Sequence, residues 1–507
     1  MYSNNNKRIA KNTLFLYFRM LLIMLVTLYT SRVVLQVLGI EDFGIYNVVG
    51  GFVSMLSFLN TSVANGFQRF FNFELGKERF DNVKRLFSVS LFIQIIISFF
   101  ILILAETIGL WFLNVKMNIE PDRIVAANWV YQCSVLMLVV MMFRAPYDAI
   151  IIAYEKMSFY AYTSICEVIC RLLLVYFLAI MPYDSLKSYG VLMLVVTIVI
   201  FICYVFFVNN KFKSVSLKPV FDMKLMKQML GFSGWNLLGS LAHLMKSQGV
   251  NVLLNIFFGP AVNAARGISY QIQSGISMFV SNFQLAARPQ MIKSYAVENL
   301  TNLMVLFYRI SKFSFFLLWL LSLPLLLKMD FVLRLWLGTN IPSLSSKFAI
   351  LALLISLVES FATPITTIVH ATGRMRRFQI ICSCIILCIV PVSYFVLNQN
   401  FLPESVMYVS LIIAILVHGV RMILLKGLIE FSIKRYIVKV LYPCIGIVII
   451  SLIFAFGINY YSGEIVFSVF QMVFTSLFTL ALIYLIGLDR NEKRFVKNVL
   501  IRCYKKI

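Results

Sequence analysis

Fourteen stretches of about 20 mostly apolar residues recur along this chain of 507 residues, each long enough to cross the hydrocarbon core of a bilayer as a helix. Composition agrees: 61% of residues are hydrophobic and 13% charged, where a soluble domain carries about a quarter charged residues. A water-soluble globule is excluded, and so is disorder, which requires low hydrophobicity. Lys and Arg outnumber Asp and Glu by 45 to 21, giving a formal charge of +24. In a soluble protein that surplus would suggest nucleic acid. In a membrane protein it marks basic cytoplasmic loops, so no nucleic-acid partner is expected. The nine cysteines lie mostly inside apolar runs and form no CxxC pair, and the three histidines are well separated. They read as small buried hydrophobes and isolated rings, with no metal site, disulfide framework or other cofactor.

The polar, basic start before Asn12 is followed by an apolar run too long for a signal h-region, so this run is expected to remain as the first helix. Assigning basic residues to their nearest helix ends puts most of them on the side that holds both termini. By the positive-inside rule both termini are cytoplasmic, which requires an even helix number and agrees with fourteen. The tail 489–507 mixes Lys and Arg with Phe495, Val499 and Leu500 and reads as a basic amphipathic segment on anionic lipid. No loop is long enough for a nucleotide-binding domain and no GxxxxGK[ST] occurs. The expectation is therefore transport driven by a gradient or by the substrate, not an enzyme.

The chain carries an internal repeat. Leu38-Gly39 followed by Gly44 matches Phe258-Gly259 followed by Ala264 at an offset of 220, and Arg69 matches Arg288 at 219. Ala145-Pro146, Ala153 and Met157 match Thr363-Pro364, Ala371 and Met375 at 218. The unit contains six helices, so its copies share one orientation and should be related by a pseudo-two-fold along the membrane normal. The expected domains are an N-terminal six-helix lobe (1–208), a cytoplasmic linker (209–230), a C-terminal six-helix lobe (231–428), two extra helices (429–488) and the basic tail. Pro146 and Pro364 fall at the inner ends of the fourth and tenth helices, where loss of a ladder hydrogen bond suits either a hinge or a plain helix end.

Polar side chains at helical spacing must face protein or water when their helix crosses lipid. In the eighth helix Arg266, Tyr270, Gln273, Ser277, Ser281, Gln284 and Arg288 descend one face; Asn47 through Gln68 do so in the second, and Asn236, Ser240, His243, Ser247 and Asn251 in the seventh. The three stripes are expected to wall a wet cavity. Glu167 and Arg171 are spaced to neutralise one another. Arg69, Arg288 and Arg421 can snorkel at the inner rim, and Arg19 lies about two turns in. Arg32, Lys246 and Arg266 remain as bases without an evident partner, and an unpaired cation at depth costs at least ~2.5 kcal/mol. An anion is the natural counter-charge, and arginine forks suit phosphate oxygens. Glu359 and His243 are candidates for coupling to H⁺ or Na⁺.

Ser31-Arg32, Leu38-Gly39, Glu41-Asp42-Phe43-Gly44, Gln68-Arg69-Phe70 and Trp336-Leu337-Gly338 together resemble bacterial polysaccharide exporters of the Wzx type. These belong to the multidrug/oligosaccharidyl-lipid/polysaccharide (MOP) exporter superfamily, which also holds the multidrug and toxin extruders. The resemblance implies an all-α integral membrane fold with fourteen helices, two lobes around a central cavity and two additional helices. It further implies a bacterial inner-membrane flippase that moves an undecaprenyl-pyrophosphate-linked oligosaccharide, such as an O-antigen, capsule or exopolysaccharide unit, to the periplasmic leaflet. The polymerase and glycosyltransferases of the same pathway would be its partners. The alternatives are a cation-coupled multidrug exporter, which needs cavity carboxylates that the first two helices lack, and a membrane-embedded polymerase or glycosyltransferase, which needs an acid pair or a substantial outer loop that is not evident.

Overall fold

The computed structural model describes residues 2–115, 119, 121–178, 180–212, 222–258, 260–337, 342, 344–458, 465–490 and 492–493. The side chains of several further residues, among them Arg32, Asn47 and Ser54, lie outside the described ones, as do Gly259, Gly338 and the tail from residue 494. Every regular element among the described residues is a helix.

The first tract, Tyr2–Met55, is broken at Gly39, whose φ of 78° and ψ of 174° suit only a residue without Cβ. It yields α1 (residues 2–38) and α2, which runs from residue 40 through a turn at Leu56 to Gly76. Then follow α3 (Phe80–Val115), α4 (Ile124–Ala153), α5 (Met157–Leu178), α6 (Ser185–Lys211), α7 (Met223–Phe258) and α8 (Pro260–Ala296). After α9 (Leu300–Leu327) and a short helix, Met329–Leu337, come α10 (Ser345–Thr372), α11 (Arg376–Asn398), α12 (Ser405–Lys426), α13 (Ile433–Gly457) and α14 (Phe467–Gly487). Ten of these fourteen are apolar enough to span a membrane on composition alone. The other four, α1, α2, α7 and α8, are as long but more polar, because three of them carry the polar stripes.

Large apolar side chains stay exposed along whole helix faces, as Ile198, Ile202 and Phe206 do on α6, at 38%, 58% and 69%. In water each would forfeit roughly 1.5–3 kcal/mol of burial; against lipid tails it forfeits nothing. The chain therefore reads as a multi-pass membrane protein.

Two compact units emerge, one formed by Lys11–Leu237 and the other by Met1–Ala10 with Leu238–Ile507. The first has a core of Val130, Tyr131, Val135 and Met142 from α4 against Val49, Val53 and Ile101, with α4 also packed along α6. In the second, α8 packs on α9 and α10, α12 on α10 and α11, and α14 on α9. There α7 approaches α11 at Gly249, where a Cβ would meet the Val390 side chain at 2.8 Å, so a larger residue would require a local shift.

The repeat is visible in the backbone of each unit. Glu78 and Glu298, an offset of 220, both take left-handed conformations with φ of 57°, and each closes its helix with equivalent bonds. Arg79 N donates to Glu74 O and Asn299 N to Ser294 O, both at 3.0 Å. Glu155 (φ 59°) and Gly373 (φ 73°) repeat the motif at offset 218. A non-glycine residue in this region is uncommon, so the match of Glu78 with Glu298 is a specific feature that the two units share.

Candidate functional site

The stripe on α8 lines a cavity of ≈ 360 Å³ inside the C-terminal unit. Gln273, Ser277, Ser281 and Gln284 face Ser356, Glu359, Ser360 and Thr363 of α10 across it. Local structure explains the polarity of the α10 wall. The helix is interrupted at Ser360 and Phe361, and Pro364 has no N–H to bond the Ser360 carbonyl four residues earlier. Gln284 supplies the missing donor: its Nε2 lies 2.9 Å from that carbonyl and 2.9 Å from Ser314 Oγ. The repeat partner Pro146 sits within an unbroken helix instead. The two prolines thus differ, and only the second marks a break in its helix.

Lys246, which the sequence left without a partner, is corrected by the fold: its Nζ lies 3.0 Å from Glu359 Oε1. The partners are 113 residues apart, so helical spacing could not reveal them. The lysine side chain is 13% exposed and the carboxylate 35%, the latter opening on the cavity. His243, one turn before Lys246 on α7, lies in the field of Glu359, Lys246 and Arg421.

Arg266 is different. It is 1% exposed, and its guanidinium is held by neutral groups: Nη1 donates to Asn251 Oδ1 and, at 3.2 Å, to the Ser247 carbonyl. Nη2 donates to Tyr270 Oη at 2.9 Å, and the guanidinium carbon lies 4.6 Å from the centre of the Tyr270 ring. Its Nε has no partner among the described residues, and no carboxylate is paired with it there. Cation–π contact and neutral acceptors hold the charge without cancelling it. Gln273, two turns on, donates to Ser356 Oγ at 2.6 Å.

In the N-terminal unit Arg19 has a similar setting, donating to Ser164 Oγ at 3.2 Å and lying 4.7 Å from the Tyr160 ring centre. Asn236 donates to the Ser62 carbonyl at 3.2 Å. The expected Glu167–Arg171 pair forms at 2.6 Å, but Glu167 also accepts from Arg144 at 3.1 Å, which in turn meets Asp148 at 3.1 Å. Sequence reading missed Arg144 and Asp148, although their i, i+4 spacing was the available signal. The rim arginines pack against protein groups. Arg69 is 8% exposed among the rings of Phe70, Phe73 and Phe232, and Arg288 Nη2 lies 3.1 Å from His370 Nδ1. Arg421 is likewise buried, at 7% exposure. The calls on Arg32 and Asn47 fall outside the described side chains.

At the helix ends, Arg123, just before α4, clamps Asp42 in the first turn of α2 and, at 2.9 Å, Asp184 just before α6, which ties three helix starts of the N-terminal unit. Partial burial alone would raise the Asp184 carboxyl, but the Lys187 N–H and the Arg123 guanidinium outweigh it and hold the group below its usual range.

No protein-family model matches the chain, and no curated protein does. Solved structures do match in fold. One is an outward-facing multidrug resistance MATE family transporter of the MOP superfamily, with TM-score 0.72 and 13% identity over 84% of this chain and 96% of the other. A MATE protein in its straight conformation gives 0.71 and 14% over 84% and 97%. A MOP-superfamily transporter from Pyrococcus furiosus, described as having a binding pocket of reverse polarity that suggests a different function, gives 0.70 and 12% over 84% and 97%. The chain has the all-helical fold of these MATE transporters.

Proposed function

We propose that this protein is a flippase of the Wzx type. It moves an oligosaccharide linked to undecaprenyl pyrophosphate from the cytoplasmic to the periplasmic leaflet of a bacterial inner membrane by alternating access, with both termini cytoplasmic. The observation that carries the reading is Arg266: a buried guanidinium on neutral partners, with Nε lacking an acceptor among the described residues. Such a charge is costly at membrane depth. A pyrophosphate would accept from the planar fork and supply the missing negative charge. Arg19, on Ser164 and Tyr160, offers the N-terminal unit a similar donor. That MOP-fold transporters differ in pocket polarity, as described for the Pyrococcus furiosus protein, is in keeping with a cargo other than cationic drugs. No bond in the substrate is made or broken, so the chain's own residues need only hold the head group and release it on the other side.

The test uses the reconstituted full chain and a fluorescent lipid-linked disaccharide whose exposure in each leaflet is read by quenching. A charge-assisted hydrogen bond is worth about 1.5–3 kcal/mol, so Arg266→Gln should slow transport roughly 10- to 100-fold, and Arg266→Lys, which keeps charge but loses the fork, should fall between. Unchanged transport in Arg266→Gln would remove the residue from the binding site.

A second reading, a cation-coupled multidrug exporter, is favoured by one observation, the Glu359 carboxylate open to the cavity. Under it, reconstituted protein would move a cationic dye when a Na⁺ or H⁺ gradient is imposed, and would leave the lipid-linked sugar in place.

A further inference from the structure

The bonds inside the α8–α10 cavity fix the direction of most polar groups on its wall, Ser277 and Thr363 excepted. Ser356 Oγ donates to the Ala352 carbonyl at 3.0 Å, so Gln273, 2.6 Å from the same oxygen, must present its amide N–H to it and keep Oε1 as an acceptor. Gln284 donates to a carbonyl and a hydroxyl, which commits both its N–H groups and again leaves Oε1. Ser274, Ser281 and Ser360 donate to the carbonyls of Gln271, Met278 and Leu357 at 3.0, 2.9 and 2.7 Å, so their remaining capacity is lone pairs. Glu359 accepts only, and Lys246 already provides its counter-charge. The wall carries more free acceptors than free donors, the latter being the Ser277 and Thr363 hydroxyls and the second amide N–H of Gln273.

That pattern disfavours phosphate, whose negative charge would face the Glu359 carboxylate and which brings at most one or two O–H groups, and favours a neutral ligand that brings many. A volume of ≈ 360 Å³ lies in the range of small-molecule sites, far beyond the needs of one metal ion. Leu318 and Val280 supply an apolar patch for C–H faces. Gln273 lies seven residues beyond Arg266, about 10 Å along α8 at 1.5 Å per residue. The same helix thus presents a charged donor at Arg266 and, further along, mainly neutral acceptors.

We infer that this cavity is a glycan subsite, taking one neutral, hydroxyl-rich sugar ring whose hydroxyls donate to Glu359, Gln273 and Gln284, while Arg266 serves the phosphate of the same carrier lipid. The inference rests on the flippase reading for its substrate and on the wall chemistry for its site.

The experiment reads the cavity without transport. Full-length Ser281→Cys, in nanodiscs, is labelled with a water-soluble maleimide, and labelling of the parent chain is subtracted. Neutral monosaccharides, inorganic phosphate and tetramethylammonium are added in separate arms. A sugar present at about ten times its Kd should slow labelling about tenfold by mass action, with no slowing by phosphate or tetramethylammonium. Slowing by tetramethylammonium, by phosphate, or by no arm would overturn the subsite, and so would a thiol that never labels. Ser274→Cys repeats the measurement on the same wall should the first variant not fold. Because no flipping is measured, loss of this result and loss of the flippase reading remain distinguishable.

Discussion

Replacing Gln284 with Leu tests the claim that its side chain stands in for a helix hydrogen bond that Pro364 cannot make. Two partners are lost, the Ser360 carbonyl and Ser314 Oγ, in residues that are 7% and 0% exposed. An orphaned buried acceptor costs about 1–3 kcal/mol and a lost neutral bond about 1, so Gln284→Leu should cost roughly 2–4 kcal/mol. At roughly 2–4 °C per kcal/mol, the thermal midpoint of the detergent-solubilised chain, followed by size-exclusion fluorescence, should fall by at least ~4 °C. The decisive arm is the double-mutant cycle. Pro364→Ala restores an N–H four residues after Ser360 and removes the ring that keeps the ladder open. In that background the orphaned carbonyl finds a new donor, and Gln284→Leu should cost only about 1 kcal/mol, giving a coupling of roughly 1–3 kcal/mol. An equal penalty in both backgrounds would refute the substitution of side chain for backbone, and the break at Ser360 would need another cause.

Two further outcomes follow from ion pairs. Lys246→Met and Glu359→Gln each leave one partner uncompensated and should lower the thermal midpoint, whereas the double variant should recover most of the loss, because a buried pair replaced as a unit is near neutral; additive losses would mean that the pair is not coupled. Asp184 is held below its ordinary value, so its share of loop stability is complete above the unfolded carboxyl value of about 3.9 and is lost as pH falls through the lower folded value. Melting curves of the parent and Asp184→Asn should therefore stay a constant distance apart from neutrality to about pH 4 and converge below it, and a gap that closes near neutrality would assign the effect to another group.

What was legible in the chain divides along a physical line. Features set by nearest neighbours on one helix could be read: the apolar runs, the polar face of α8 and the Glu167–Arg171 pair; so could the residue matches repeated at an offset near 220, while the left-handed turns they flank could not. Arg144–Asp148 belonged to the same class and was legible too, though it was passed over. Partnerships across helices were not, because periodicity says which face a side chain occupies and nothing about what stands opposite. Lys246 with Glu359, Gln273 with Ser356 and Gln284 with Ser360 all cross from α7 or α8 to α10. One rule could have narrowed the first: with so few acids inside the spans, each must neutralise some base.

The Lys246–Glu359 bond also alters what the charge surplus can mean. Reading the cavity wall as uniformly cationic treated charge as a property of the stripe, but the fold sorts it by position. Toward one end of α8, Arg266 keeps an uncancelled positive charge among neutral oxygens; further along, the wall turns to acceptors with a neutral ion pair among them. A ligand that is anionic throughout would meet repulsion at Glu359, and one that is cationic throughout would meet it at Arg266. The proposed cargo, a phosphate-linked sugar, has a charged end and a neutral, donor-rich body, and so would meet both regions with complementary groups.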